Sequence, residues 1–251
     1  MTASTAETIC DDLETEYAGF DATLAGLTEE QWAGPTLCAG WDVRDLVCHL
    51  WVQAEVAVSA VAGDPLWLPR TPNDLADLDA AIDASVRERR HVPGPQVWQA
   101  WQERRAEVVA ALRTLPVDRR IQWTVTTMAP ATLATTLLME AWAHGYDVRA
   151  PLGSDQPVTP GLRHIAWFAL QTLPFALRRA GEEPVPIRFE LTAPDGTAWR
   201  LGPDDAHDVV RGDAMELCLR AVRRLELENA KSLSARGAGA ETALRVMRCY
   251  P

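Results

Sequence analysis

Trp41-Asp42-Val43-Arg44-Asp45-Leu46-Val47-Cys48-His49-Leu50 is the stretch from which the fold can be read. Asp42 is placed as a helix N-cap, and the helix that follows is expected to run to about Ala62 with Leu46, His49, Leu50 and Gln53 on one stripe. A second stretch, Met139-Glu140-Ala141-Trp142-Ala143-His144, belongs to a helix expected from Pro130 to near Arg149. A four-residue step rises about 6 Å and turns just past one revolution, so Glu140 and His144 leave the same face.

Nearer the N-terminus, Ile9, Leu13, Tyr17, Phe20 and Leu24 recur at three- and four-residue steps, the mark of an amphipathic helix. Thr28-Glu29-Glu30-Gln31 has capping-box spacing ahead of Trp32, and a turn-rich stretch spans Gly34 to Gly40. Gly63-Asp64-Pro65 closes the helix that carries His49. A Pro-rich loop is expected to Pro72, then a polar helix from Asp74 to about Arg90. Pro93-Gly94-Pro95 precedes a helix that buries Val97, Trp101, Val108 and Leu112, and the connection from Pro116 to Pro130 reads as irregular. The pattern is four main helices with extra helical material in the long connection.

Beyond a linker at Gly153 to Pro160 the character changes. A helix is expected from Gly161 to Arg179, kinked or broken at Pro174. Pro186 to Leu191 alternates at the strand period, Pro194-Asp195-Gly196 signals a turn, and Ala198 to Leu201 returns antiparallel. Val209-Val210 adds a strand, Gly212-Asp213 opens a helix through about Glu228, and the tail from Ser234 reads as a last helix. The fold class is α+β: a helical domain at 1–152 and a small α+β domain at 153–251.

Composition narrows the partners. Twenty-four basic against 35 acidic side chains give a formal charge of −11, which repels phosphate backbones and anionic lipid. Nucleic acid and membrane are therefore not expected as partners. The five cysteines, Cys10, Cys38, Cys48, Cys218 and Cys249, are scattered and form no Cys-x-x-Cys pair, which suits a reducing cytoplasm. The start of the chain lacks the pattern of a signal peptide, and no run approaches the roughly 18 apolar residues of a membrane span.

The chemistry lies in His49, Glu140 and His144. Two imidazoles and a carboxylate from two helices make a three-ligand N/O set with an open position, the arrangement of catalytic zinc. Nickel or cobalt would also suit it, and all three suit it better than magnesium or calcium. Asp147, three residues past His144, is placed to accept from an imidazole. Taken singly, His49 could be a core histidine, Glu140 and His144 an i,i+4 helix pair, and Asp147 a surface or capping residue. His91, His164 and His207 form no comparable set. His-Glu-x-x-His, a Gly-rich phosphate loop and a Gly-x-Ser-x-Gly elbow are all absent.

Gly40 to Leu50 resembles the "G-W-x-V-x-D-x-x-x-H-L" segment of the DinB-like proteins, most closely the branch of mycothiol-dependent maleylpyruvate isomerases. Glu140-x-x-x-His144-Gly145-Tyr146-Asp147 resembles that branch's second motif, and Gly212 through Arg224 resembles its C-terminal helix. The resemblance implies a DinB-like four-helix bundle followed by a sterol-carrier-like α+β domain. It also implies a divalent metal, usually zinc, held by His49, Glu140 and His144, with a low-molecular-weight thiol such as mycothiol at the open position. An arginine of the branch's C-terminal helix contacts the acidic substrate. Arg223 or Arg224 matches it, although the branch often has Gly-Arg there. A solvated helix face pairing Arg224 with Glu228 is the alternative.

Three readings follow. The first is a metal-dependent thiol transferase or thiol-assisted isomerase acting on a small electrophile, which carries a carboxylate if an arginine holds it. The second is a non-catalytic metal-stabilised binding or stress protein. The third is a hydrolase using metal-activated water. Either a monomer or a dimer is compatible with the sequence. Lys231 is the single lysine of an alanine- and arginine-rich chain, a composition of GC-rich genomes and compatible with an actinobacterial host.

Overall fold

The computed structural model describes residues 6–64, 78–123 and 126–249. The chain divides between Pro157 and Val158 into two compact units. The N-terminal unit is built on four long helices, α1 (Ala6–Leu24), α3 (Val43–Ala62), α5 (Gly94–Thr114) and α6 (Pro130–Arg149), with the shorter α2 (Glu29–Trp32) and α4 (Leu78–Glu88) in the connections. Helix α1 lies along α6 and α3 along α5. The α1 stripe turns inward as its periodicity predicts, and Tyr17 and Phe20 meet the Trp101 ring edge-on at 5.4 and 5.6 Å. Trp101 and Trp142 are both essentially unexposed, so truncating either would cost about 3–5 kcal/mol.

Local chemistry sets where α3 begins and ends. Asp42 Oδ1 accepts from the Asp45 N–H at 2.7 Å, satisfying a donor that has no partner within the helix. Gly63 closes α3 in the left-handed region (φ 87), where glycine carries no Cβ penalty. The Asp45 side chain is itself buried and takes a fork from Arg90, with Nε at 3.1 Å from both oxygens and Nη2 at 2.7 Å from Oδ2. That contact ties the turn after α4 to the first turn of α3. Among the described residues α3 is the one helix long and apolar enough to cross a bilayer, contrary to the expectation that no run is. Its apolar residues are core, mostly buried within the bundle.

Two features of this unit differ from expectation. Helix α4 ends at Glu88, short of Arg90, and the loop to Pro72 and the residues Asp74 to Asp77 lie outside the described residues. The connection before Pro130 contains a hairpin, β1 (Ile121–Trp123) with β2 (Thr126–Met128), instead of irregular chain. Ile121 and Trp123 are buried on one side of it. A strand of three residues is too short to show a period of two.

The C-terminal unit opens with α7 (Leu162–Arg179), which runs through Pro174 without a break. A four-stranded sheet follows: β3 (Ile187–Thr192), β4 (Ala198–Leu201), β5 (Asp208–Asp213) and β6 (Ser234–Arg236), in the order β4-β3-β5-β6. The β3–β5 pair is parallel and the two flanking pairs are antiparallel. Ile187, Phe189 and Leu191 of β3 are buried, while Glu190 gathers Arg188, Arg211 and Arg200 at 2.8, 2.7 and 3.4 Å. Helices α8 (Ala214–Ala221) and α9 (Ala238–Val246) pack against the sheet and α7. Ser234 to Arg236 joins the sheet instead of starting the final helix.

Helix α8 stops seven residues before the expected Glu228, for a backbone reason. Arg223 takes a left-handed conformation (φ 61), and the Arg224 N–H folds back to the Leu219 carbonyl at 2.8 Å. This is a Schellman closure, formed here without glycine at its left-handed position.

Candidate metal centre

Helix α6 presents Glu140 and His144 one turn apart, and α3 presents His49 toward them. Glu140 Oε2 lies 3.3 Å from His144 Nε2 and 3.9 Å from His49 Nε2, and one ligand atom from each residue lies within 4.8 Å of the other two. The imidazole rings meet edge to face, with centroids 5.0 Å apart. Four-coordinate zinc with bonds of about 2.0–2.2 Å needs ligand atoms about 3.3 Å from one another. The cluster therefore needs only small adjustments to take such an ion. The three side chains are 10–18% exposed, so the centre is sheltered yet reachable.

The electrostatics make the same case. A carboxylate oxygen and imidazole lone pairs repel one another unless a cation, a proton or a metal, sits between them. Burial would raise the pKa of Glu140, but hydrogen bonds to His144 and His49 outweigh it and hold the carboxyl well below the usual range. Burial would likewise lower the pKa of His144. Hydrogen bonds to Asp147, Cys38 and Glu140 reverse this and raise it well above its ordinary value. Without a metal, these bonds favour the protonated, cationic form of His144.

A second layer holds the imidazoles. Asp147 is completely buried, and its Oδ2 lies 2.9 Å from His144 Nδ1. An ionised carboxylate can only accept, so Nδ1 donates and Nε2 is left to face Glu140. The Trp41 ring packs on His49 with centroids 5.3 Å apart, and its indole N–H donates to Asp83 Oδ1 of α4 at 2.9 Å. Asp83 also pairs with Arg87.

The sequence alone does not single out Cys38 or Asp83. Cys38 Sγ lies 3.2 Å from Asp147 Oδ2, a partner 109 residues away to which no motif spacing points. Among the described residues the potential ligand groups are His49–Glu140–His144 and a second that shares His144, namely Cys38–His144–Asp147. His91, His164 and His207 belong to neither. His91 Nδ1 instead lies 3.0 Å from the Glu88 carbonyl. Arg223 and Arg224 lie in the C-terminal unit, in the turn after α8 and not in a helix reaching Glu228. Arg223 is exposed, and Arg224 Nη1 donates to the Val222 carbonyl at 2.8 Å.

The bundle and its appended sheet are those of a DinB-like four-helix protein with a small α+β unit. Residues 13–149 match the family model described as the mycothiol maleylpyruvate isomerase N-terminal domain, and the chain belongs to that family. An uncharacterized protein of Mycobacterium tuberculosis, found in strains CDC 1551 / Oshkosh and H37Rv, is 30% identical over 241 residues, which is 95% of this chain and 93% of the relative. The crystal structure of the mycothiol-dependent maleylpyruvate isomerase covers 92% of both chains with a TM-score of 0.61 at 14% identity. A histidine-to-alanine variant of that isomerase gives 0.62 at the same identity and coverage. At that identity the structural likeness establishes the fold.

Proposed function

We propose that this chain is a divalent-metal-dependent enzyme that uses a low-molecular-weight thiol of the mycothiol class to isomerise, or transfer sulfur to, a small electrophile. The observation that carries the reading is the convergence of His49 Nε2, Glu140 Oε2 and His144 Nε2, with Asp147 behind the second imidazole. Family membership and the name of the solved neighbour support the thiol and the isomerisation. Zinc, or nickel or cobalt in its place, would be held by those three atoms and would bring a thiol to its thiolate form near neutral pH. Around it, His49, Glu140 and His144 supply the ligands, Asp147 fixes the His144 ring, and Trp41 walls the His49 side. We place this chemistry in the cytoplasm, with a small-molecule partner.

The conformation of Arg223 bears on the substrate. A left-handed residue stands where glycine is favoured, which supports aligning Arg223 with the glycine of the branch's Gly-Arg and Arg224 with its arginine. Arg224 is then the group proposed to hold a substrate carboxylate, for which a guanidinium is suited.

The test is metal quantification on purified protein, with turnover of maleylpyruvate and related electrophiles across a panel of thiols. Stoichiometric divalent metal, and turnover that needs both thiol and His49, would support the proposal. Turnover without thiol would favour the hydrolase, and unfolding on chelation a structural site. Full activity in His49→Ala would end it.

A further inference from the structure

Cys38 has no part in the proposed chemistry, yet it touches the machinery. It sits in the turn before α3, half-buried, whereas Cys10, Cys48, Cys218 and Cys249 are buried. Its Sγ lies 3.2 Å from Asp147 Oδ2 and 3.8 Å from His144 Nδ1. This is not a chance side-chain rotamer, because the backbone joins the same two segments. The Leu37 N–H donates to the Asp147 carbonyl at 3.2 Å, the Cys38 N–H to Thr36 Oγ1 at 3.1 Å, and the Thr36 hydroxyl to the Trp41 carbonyl at 2.9 Å. The turn is thereby fastened to the end of α6 at the residue that orients His144.

Asp147 Oδ2 thus receives two donors, the imidazole Nδ1–H and the thiol S–H. A fully buried carboxylate needs donors to offset its lost hydration, and losing one loosens its hold on the rest. We infer that Cys38 is a positioning residue for His144: its thiol proton holds Asp147 Oδ2 in place, so that the carboxylate keeps the Nδ1–H and Nε2 stays aimed at Glu140 and His49. The inference rests on the reading of His144 as a metal ligand through Nε2. It gives the centre a point of control outside its ligands, because a capped thiol no longer donates to Asp147.

The test uses the intact chain with Cys38→Ala and Cys38→Ser. Zinc affinity is measured by competition with a chromophoric chelator, and exchange of the His144 Nδ1 proton is followed by NMR in metal-free protein. Loss of a partner directly behind a ligand typically loosens metal about 10–100-fold, so a group one bond further out should give about fivefold. Cys38→Ala is expected to bind zinc about fivefold more weakly and to exchange the Nδ1 proton faster. Cys38→Ser, which restores a donor, should lie within about twofold of wild type on both readouts. Alkylation of the wild-type thiol should reproduce the alanine result, and it serves as the test if the alanine variant fails to fold. Wild-type behaviour in Cys38→Ala, or equal weakening in Ala and Ser, would overturn the inference. Failure of the wild-type protein to bind zinc would instead overturn the proposed function, and Nδ1 proton exchange would still decide the role of Cys38.

Discussion

Asp147 Oδ2 stands 2.9 Å from His144 Nδ1, one turn further along α6 and fully buried. This contact determines which imidazole nitrogen is free to meet Glu140, so its loss should be felt at the metal. Asp147→Ala is expected to weaken zinc binding about 10–100-fold while His49 and Glu140 stay in place. A calorimetric titration giving the wild-type constant would show that the carboxylate does not orient the ring.

The pKa shifts give the centre a pH signature. The His144 pKa is raised in the fold, so its contribution to stability is complete below its ordinary value of 6.5 and is lost as pH rises through the folded value. The Glu140 pKa is depressed, so its contribution is present above its ordinary 4.5 and is lost only as pH falls through its low folded value. Metal-free protein should therefore lose melting temperature as pH rises above neutrality. Zinc must displace the His144 proton, so its affinity should climb about tenfold per pH unit until that histidine is neutral. Scanning calorimetry with and without zinc reads both effects, and a flat affinity profile would contradict the displacement.

At the end of α8 the left-handed Arg223 separates two roles. Arg223→Gly should fold at least as stably as wild type, whereas Arg223→Val, with a β-branched side chain at positive φ, should lose about 1–2 kcal/mol. Arg224→Ala should raise KM for a carboxylated electrophile far more than it lowers kcat. The converse pattern, a KM effect confined to Arg223, would reverse the assignment. Chemical denaturation and steady-state kinetics supply the two measurements.

Arg90→Ala would leave the buried Asp45 carboxylate without its fork. A lower urea midpoint is expected, because the buried carboxylate would keep only the more distant Arg44 guanidinium at 3.9 Å of its two arginine partners, and the drop is lessened by the exposure of Arg90. Urea unfolding would detect it, and a loss below about 0.5 kcal/mol, the range of ordinary surface substitutions, would mean that Asp45 finds other donors.

How much could be read from the chain alone depended on the range of each interaction. The α1 stripe, the Asp42 cap and the four-residue step from Glu140 to His144 are local patterns, and all three appear in the structure as the sequence indicates. The β1–β2 hairpin leaves no mark in the sequence because three-residue strands are shorter than the pattern that announces them. The sequence overextends helix α8 because Arg223 occupies a conformation that normally signals itself through glycine. Cys38 carries no sequence signal as a neighbour of the centre, because its contact with Asp147 is created only when the turn at 34–40 folds onto α6. Proximity of that kind has no signature in spacing.

Glu140, His144 and Asp147 all ride on one rigid helix, while His49 arrives alone from α3. Three of the four groups therefore move together, and the coordination of any bound ion registers chiefly the distance of a single outsider. With a metal bound, the proposed centre would work as a gauge of interhelical spacing. Cobalt substituted there would change its visible spectrum when a remote core substitution shifts α3 by a fraction of an ångström, well before any bulk probe registers damage.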